Sequence, residues 1–145
     1  MRILAHLGPM RLLAKRVLTR FRKFQPVPDY DRPDTSGWLL MRAILKEWIT
    51  ASRTPVLLVP LPHDSSLFGL SDPSKYQARF RELSVETGCN LYDPLPELLK
   101  LTANERHSLW SDAYGHLSAK GHESIAGLLL PVVQGLMGRH EIAAS

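Results

Sequence analysis

Two groups of residues have the types and spacing that hydrolytic chemistry needs. In the first, Asp112 lies four residues before His116 in the stretch SDAYGHLSAKGH. In acyl transfer an imidazole removes the proton of a weak nucleophile such as a serine hydroxyl, and a carboxylate holds the imidazole in the required tautomer. Asp112 and His116 are therefore candidates for the acid and base of such a site, a role that their spacing alone does not establish. Taken without a nucleophile, they are also typical of a turn acid and of a histidine that bonds a loop carbonyl.

The second group is the stretch PHDSS, which contains His63, Asp64, Ser65 and Ser66 directly after an apolar run. It holds all three residue types of a catalytic triad. Real triads are assembled from separated segments, because neighbouring side chains project in different directions. We therefore expect either an Asp-Ser turn or a loop that lines a substrate pocket, with His63 and Ser65 as the substrate-binding candidates.

Metal and disulfide chemistry have little support. The six histidines are scattered, and the sequence has no His-Glu-x-x-His motif and no carboxylate cluster, so we expect no metal and no cofactor. Cys89 is the only cysteine, which excludes an intrachain disulfide. It opens an apolar stretch and has no evident basic neighbour, so it is interpreted as a small buried hydrophobe.

The elements that would position these residues alternate between helices and strands. Helical periodicity and end signals predict helices near 37–51, 74–87 and 118–136, with Ser36 as a first N-cap, Pro73 in a first turn and Gly88 as a C-terminal cap. The apolar runs at 56–61 and 90–92 predict strands, and the stretch between 94 and 110 predicts one helix and a loop. This alternation is typical of an α/β fold with a parallel sheet.

The chain of 145 residues has the length of one domain. Two parallel strands form a poor sheet, because each needs neighbours to cover its edges. We therefore expect residues 1–145 to be a single, truncated part of a larger α/β domain.

The first 24 residues carry seven positive charges and no acid, with apolar residues recurring between them at helical spacing. This predicts a basic amphipathic N-terminal helix that either docks on the rest of the fold or lies on an anionic membrane surface. Residues 25–37, rich in Pro and Asp, predict a linker loop. No run approaches the length of a membrane span, so we expect a cytoplasmic protein, with peripheral membrane association left open. Nucleic-acid binding is disfavoured, since no aromatic platform accompanies the basic stretch.

Residues 36–136 resemble the C-terminal half of the SGNH (GDSL-type) hydrolases. The resemblance follows the strand PVLLVPLP, the helix YQARFRELSVETG, the strand NLYD and the block DAYGHLSAKGHESIAGLL. It implies a partial three-layer α/β/α (flavodoxin-like) sheet. It also implies that Asp112 and His116 are the catalytic acid and base, placed before the last helix, although the spacing here is Asp-x-x-x-His and that of the family is usually Asp-x-x-His or shorter.

The nucleophile of that family is missing from this chain. The sequence contains no Gly-Asp-Ser, no Gly-x-Ser-x-Gly and no Gly-x-Asn-Asp. The resemblance thus implies the second part of an ester hydrolase that is inactive alone and acts on an ester-type small molecule or an acylated glycan, with a complementing N-terminal half or a second copy as partner. The alternative is a non-catalytic binding or assembly module that meets its partner, or a membrane surface, through the basic helix.

Overall fold

The computed structural model describes residues 25–111 and 116–144, with residues 139–144 described by their backbone alone. A 3-10 helix covers Pro28–Tyr30. The helices and strands that follow in chain order are α1 (Ser36–Ala51), β1 (Leu57–Leu58), α2 (Asp64–Leu67), α3 (Ser74–Thr87), β2 (Asn90–Leu91), α4 (Leu95–Leu98), α5 (Ala103–Ser108) and α6 (Ala119–Ala144). The described part is mostly helical, with one small sheet.

β1 and β2 pair in parallel, with Leu57 opposite Asn90 and Leu58 opposite Leu91. The pairing continues just outside both strands, where the Asn90 amide donates to the Val56 carbonyl at 3.0 Å and the Tyr92 amide donates to the Leu58 carbonyl at 2.9 Å. The predicted parallel pairing is confirmed. β1 is shorter than the predicted strand 56–61, in keeping with the prolines at its end, which have no amide proton to donate to a ladder.

The predicted helices 37–51 and 74–87 are confirmed as α1 and α3. The N-cap of α1 is Thr35, one residue before the predicted Ser36. Gly37 is packed so closely on the Asp29 carboxylate that a side chain would collide with it. α3 ends at Gly88, whose φ of +72° is the left-handed conformation that glycine adopts readily. Because α3 connects two parallel neighbouring strands, β1, α3 and β2 form a βαβ unit.

The sheet packs under α1 and α3 in a first hydrophobic cluster, which we call the sheet cluster. Its buried members are Trp38, Ile49, Leu58 and Leu83. Tyr30 of the 3-10 helix completes an aromatic group in which the rings of Tyr30, Trp38 and Phe80 lie edge to face with centroids 5.7 Å apart. The predicted linker loop 25–37 is therefore packed on the fold through Tyr30.

A second cluster, the short-helix cluster, joins α2, α4, α5 and the start of α6. Its buried members are Leu67, Leu95, Leu98, Leu109 and Ile125. The structure divides the predicted helix and loop at 94–110 into α4 and α5, and the predicted helix 118–136 extends to Ala144 as α6 with Pro131 inside it.

The fold is a mixed α/β arrangement, but the described residues form a sheet of only two strands. The predicted basic helix at residues 1–24 lies outside the described residues. None of the helices in the described ranges is long and apolar enough to cross a membrane.

Candidate functional site

His63 lies where the chain leaves the carboxyl end of β1, and it is the N-cap of α2. Its ring nitrogen Nδ1 accepts from the Ser65 amide at 3.2 Å, lies 2.9 Å from the Ser65 hydroxyl and 2.6 Å from a carboxylate oxygen of Asp64. In α/β enzymes with a parallel sheet, the active site lies at the edge formed by the carboxyl ends of the strands. The loop therefore presents a histidine, an acid and a hydroxyl in mutual contact.

This arrangement differs from a catalytic triad. A triad uses one ring nitrogen for the acid and the other for the hydroxyl. Here the Asp64 carboxylate and the Ser65 hydroxyl converge on the same nitrogen of His63. The side chains of Ser65 and Ser66 are both buried. The Ser71 hydroxyl lies 2.9 Å from the Ser65 hydroxyl and 3.0 Å from the Ser66 hydroxyl. The hydroxyl groups thus cross-link the loop internally.

A cavity of about 180 Å³ opens beside this loop. Its walls combine the aromatic rings of Tyr30, Tyr76 and Phe80 with the polar side chains of His63 and Lys75, and they also include Gln25, Pro26, Val27, Pro60, Leu61, Ser66 and Asp72. Of the two substrate-binding candidates, His63 lines this cavity. Ser65 is buried behind it, so His63 is the residue that a small ligand in the cavity would meet.

Asp93, which we did not single out from the sequence, organises the same edge of the sheet. It follows β2 by two residues, and its carboxylate accepts from the Gln77 side-chain amide at 2.6 Å, the Leu95 backbone amide at 2.9 Å and the Tyr76 hydroxyl at 3.3 Å. Burial, and then the negative charge of Asp93, raise the pKa of Tyr76. An acid directly after a predicted parallel strand was the available signal for this residue.

His116 lies between α5 and α6, with its side chain exposed. Its carbonyl accepts from the Ser111 amide at 2.9 Å, and the next residue, Leu117, forms an antiparallel bridge with Trp110. Ser118 then starts α6, because its carbonyl accepts from the His122 amide at 2.9 Å and its hydroxyl accepts from the Gly121 amide at 3.0 Å. His116 is thus held by its backbone directly before the last helix.

Gly121 explains part of the sequence pattern that follows His116. A side chain at this position would collide with the backbone carbonyl of Leu109. The carbonyl of Leu109 also accepts from the Ser118 amide at 2.8 Å. The first turn of α6 therefore lies directly against the end of α5. This contact fixes the backbone position of the loop that carries His116.

The predicted acid, Asp112, belongs to residues 112–115 and lies outside the described residues. The structure therefore places the predicted base without placing its acid. Within residues 25–111 and 116–138, whose side chains the structure describes, no three His, Cys, Asp or Glu side chains are grouped so that they could hold a metal ion.

The chain matches no protein-family model, and no curated protein or solved structure is similar to it.

Proposed function

We propose that the chain is the C-terminal part of an SGNH-like ester hydrolase and supplies the acid and base of a Ser-His-Asp triad. The observation that carries the proposal is the β1-α3-β2 unit, a parallel strand pair with its crossover helix, followed by a histidine directly before the last helix. That order is the one on which the resemblance to the family rests.

The small sheet supports the idea of an incomplete domain. Among the described residues each strand has one neighbour, whereas parallel sheets in α/β proteins have several strands and helices on both faces. A three-layer α/β/α sheet would then need strands supplied by a complementing N-terminal half or by a second copy. The same half would bring the nucleophile and the oxyanion-hole donors, without which the base has little to act on.

In this proposal His116 is the general base that takes the serine proton and later returns it to the leaving group, and Asp112 orients its ring. His63 and the aromatic wall of the cavity hold the acyl group of an ester-type small molecule or an acylated glycan. The cavity volume of about 180 Å³ suits a short acyl chain better than a long one. Ser65 supports the ring of His63 from behind through its 2.9 Å contact with Nδ1.

The test is complementation. The chain is co-expressed with an N-terminal half of an SGNH hydrolase that carries Gly-Asp-Ser, and hydrolysis of p-nitrophenyl acetate and p-nitrophenyl butyrate is measured. Turnover should appear only in the complex, and His116→Ala should lower it by about 10³-fold or more, because the base of an assembled triad is lost. His122→Ala is the matched control, since His122 is an exposed histidine in the first turn of α6.

Two results would contradict the proposal. One is a folded complex in which His116→Ala and His122→Ala hydrolyse both esters at the wild-type rate. The other is hydrolysis by the chain alone that is lost in Ser65→Ala or Ser66→Ala, which would move the chemistry to the α2 loop.

The second candidate, a non-catalytic assembly module, is favoured by the far half of α6. Beyond the short-helix cluster, Leu130, Val133 and Met137 recur at helical spacing with 58%, 40% and 61% of their surface exposed. An apolar stripe of this kind suits a partner helix. A stoichiometric complex without esterase activity, disrupted by Val133→Glu and by Met137→Glu, would support this function over hydrolysis.

A further inference from the structure

Helix α1 is apolar on two sides. Its inner side contributes Trp38 and Ile49 to the sheet cluster, with Leu45 packed against them. Its outer side carries Leu40, Met41, Ile44 and Trp48, which are 65%, 39%, 57% and 58% exposed among the described residues. A surface helix usually has one apolar side, which faces the core, and a polar side opposite to it. The outer side of α1 therefore has the composition of a surface that another element covers.

These four residues, which we call the outer stripe, form a line along the helix. Leu40, Ile44 and Trp48 are spaced four residues apart, so they succeed one another on adjacent turns over about 12 Å. Scattered single apolar residues are normal on a protein surface, but a continuous row of large ones marks a contact site.

We propose that residues 10–24 pack on the outer stripe of α1 as an amphipathic helix. The sequence of this segment matches the stripe, because Leu13, Val17 and Phe21 are also spaced four residues apart. Rows of side chains with this spacing interdigitate when two helices pack against each other. Pro9, directly before the segment, suits the start of such a helix.

The attachment of the segment favours α1 over any other surface. Residues 25–35 connect the segment to α1. The first three of them line the cavity beside His63, and Asp29 and Tyr30 pack against the start of α1. Tyr30 contacts the ring of Trp38, and the Thr35 hydroxyl bonds the Asp29 carbonyl. Because the second half of the connection is packed on the start of α1, the segment before it reaches the outer stripe by running antiparallel to that helix, as in an αα-hairpin.

The covalent connection also favours residues 10–24 over a separate partner as the occupant of the outer stripe. A covalently linked segment is present at an effective concentration on the order of millimolar, whereas a second copy of the chain must be recruited from solution. Docking also removes the apolar sides of both helices from water in one step.

Charge supports the same occupant. The segment is rich in Arg and Lys and has no acid. Glu47 lies three residues from Ile44 at the border of the outer stripe and has no ion-pair partner in the described ranges. In the connection, one carboxylate oxygen of Asp31 is buried without a hydrogen-bond partner there. Both acids suit a neighbouring basic helix.

The experiment is photo-crosslinking in the full chain. A benzophenone amino acid replaces Ile44, in a mixture of isotopically light and heavy protein, and the products are mapped by mass spectrometry. The expected crosslinks join position 44 to residues 10–24 of the same molecule. The matched control carries the same probe in place of Val133 on α6, which is also partly exposed and apolar, and should not label that segment.

A second set of variants tests the side of the segment that docks. Leu13→Glu combined with Val17→Glu places charges on the docking side and should abolish the crosslink. Leu12→Glu combined with Thr19→Glu adds the same charge to the opposite side and should preserve it. Because both pairs lie outside the described fold, their comparison does not depend on the stability of the sheet cluster.

Three outcomes would overturn the proposal. Crosslinks between light and heavy chains would assign the outer stripe to a second copy. Equal loss of the crosslink in both variant pairs would show that it does not depend on the apolar side of the segment. Absence of crosslinks from position 44, together with sedimentation of the protein with phosphatidylglycerol vesicles at low salt, would assign residues 1–24 to a membrane surface. The outcome is independent of the proposed hydrolase, whose readout is esterase activity in a complex.

Discussion

The sheet cluster and the short-helix cluster bury similar numbers of apolar side chains, but they are stabilised differently. In the sheet cluster, two long helices and a strand pair bring together large rings, with Trp38, Tyr30 and Phe80 in edge-to-face contact. In the short-helix cluster, leucines dominate and the elements are only four to six residues long, apart from the start of α6.

Short helices have little stability of their own, because the first turn is costly to form and few hydrogen bonds follow it. In the short-helix cluster, polar side chains compensate by bonding the ends of these helices. Arg106 donates to the Leu67 carbonyl at 2.6 Å, Ser118 donates to the Ser108 carbonyl at 2.6 Å, and Thr102 and Glu105 form a capping box on α5. Large aromatic side chains thus pack the sheet cluster, whereas the short-helix cluster combines buried leucines with polar contacts at the ends of its helices.

The largest expected effect is on the sheet cluster. Trp38→Ala removes a side chain that is 1% exposed and leaves a cavity between α1 and α3, so it should lower the free energy of unfolding by about 3–5 kcal/mol. Urea denaturation followed by circular dichroism measures this loss. A loss below about 1 kcal/mol would mean that the aromatic group contributes little packing energy and would remove the contrast between the two clusters.

The next effect tests the short-helix cluster through one polar contact. Arg106→Met keeps most of the apolar stem but leaves the Leu67 carbonyl without its donor, which should cost about 1–3 kcal/mol. Arg81→Met on the exposed side of α3 is the control and should stay within about 0.5 kcal/mol of the wild type. Equal stabilities of the two variants would show that polar contacts at helix ends do not hold this region.

The parts of the fold that the sequence predicts are those set by local patterns. The bounds of α1 and α3 follow from periodicity and from end signals such as Gly88, and the parallel pairing of β1 with β2 follows from apolar runs separated by a helix. These are local patterns. The division of 94–110 into two helices depends on the T-x-x-E capping box at Thr102, which restarts the helix.

The site was less predictable, because its contacts join residues that are distant along the chain. His63 was singled out and lines the cavity, but nothing local in the sequence indicates that Tyr76 and Gln77 of α3 meet the carboxylate of Asp93. The apolar runs of the sequence predict the same two strands that the described residues form, β1 and β2. The catalytic pair of Asp112 and His116 remains a prediction, since residue 112 lies outside the described residues.

A smaller effect concerns Tyr76, the residue of α3 that packs on the short-helix cluster. Its pKa is raised by burial and by Asp93, so the folded protein keeps the phenol proton at a pH where the unfolded chain, with a pKa near 10.0, loses it. The unfolded state then binds fewer protons, and stability falls as pH rises above 10. Between pH 10 and 11 the wild type should lose more of its free energy of unfolding than Tyr76→Phe, by less than about 1 kcal/mol, because the phenol is partly exposed and water screens the charge of Asp93.

Urea denaturation of both proteins at several pH values measures this difference, because the deprotonation of lysines and of the other tyrosines is common to them. A difference that does not change with pH would show that Tyr76 ionises in the folded protein as it does in the unfolded chain. That result would place the residue in contact with water and detach it from the short-helix cluster.

The smallest effect is expected where the sheet cluster does use polar contacts, on its surface. The carboxylate of Glu86 on α3 accepts from Lys46 at 2.7 Å and from two nitrogens of Arg42 at 2.8 Å, both on α1. The hydrogen bond from Lys46 is the largest of the causes that lower the pKa of Glu86 below its ordinary 4.5, and Arg42 adds to it. The network therefore stabilises the fold above the ordinary pKa of a glutamate.

This stabilisation should disappear as pH falls through the lowered pKa, because the folded state must then take up a proton that the unfolded chain has already bound. Glu86→Gln should lower the melting temperature slightly at pH 7, with a difference that shrinks in 1 M NaCl and vanishes toward pH 3. Glu123→Gln, on the exposed side of α6, should show neither dependence. If Glu86→Gln instead rivalled Trp38→Ala at pH 7, the junction of α1 and α3 would rest on charge more than on aromatic packing, and the contrast between the two clusters would no longer hold.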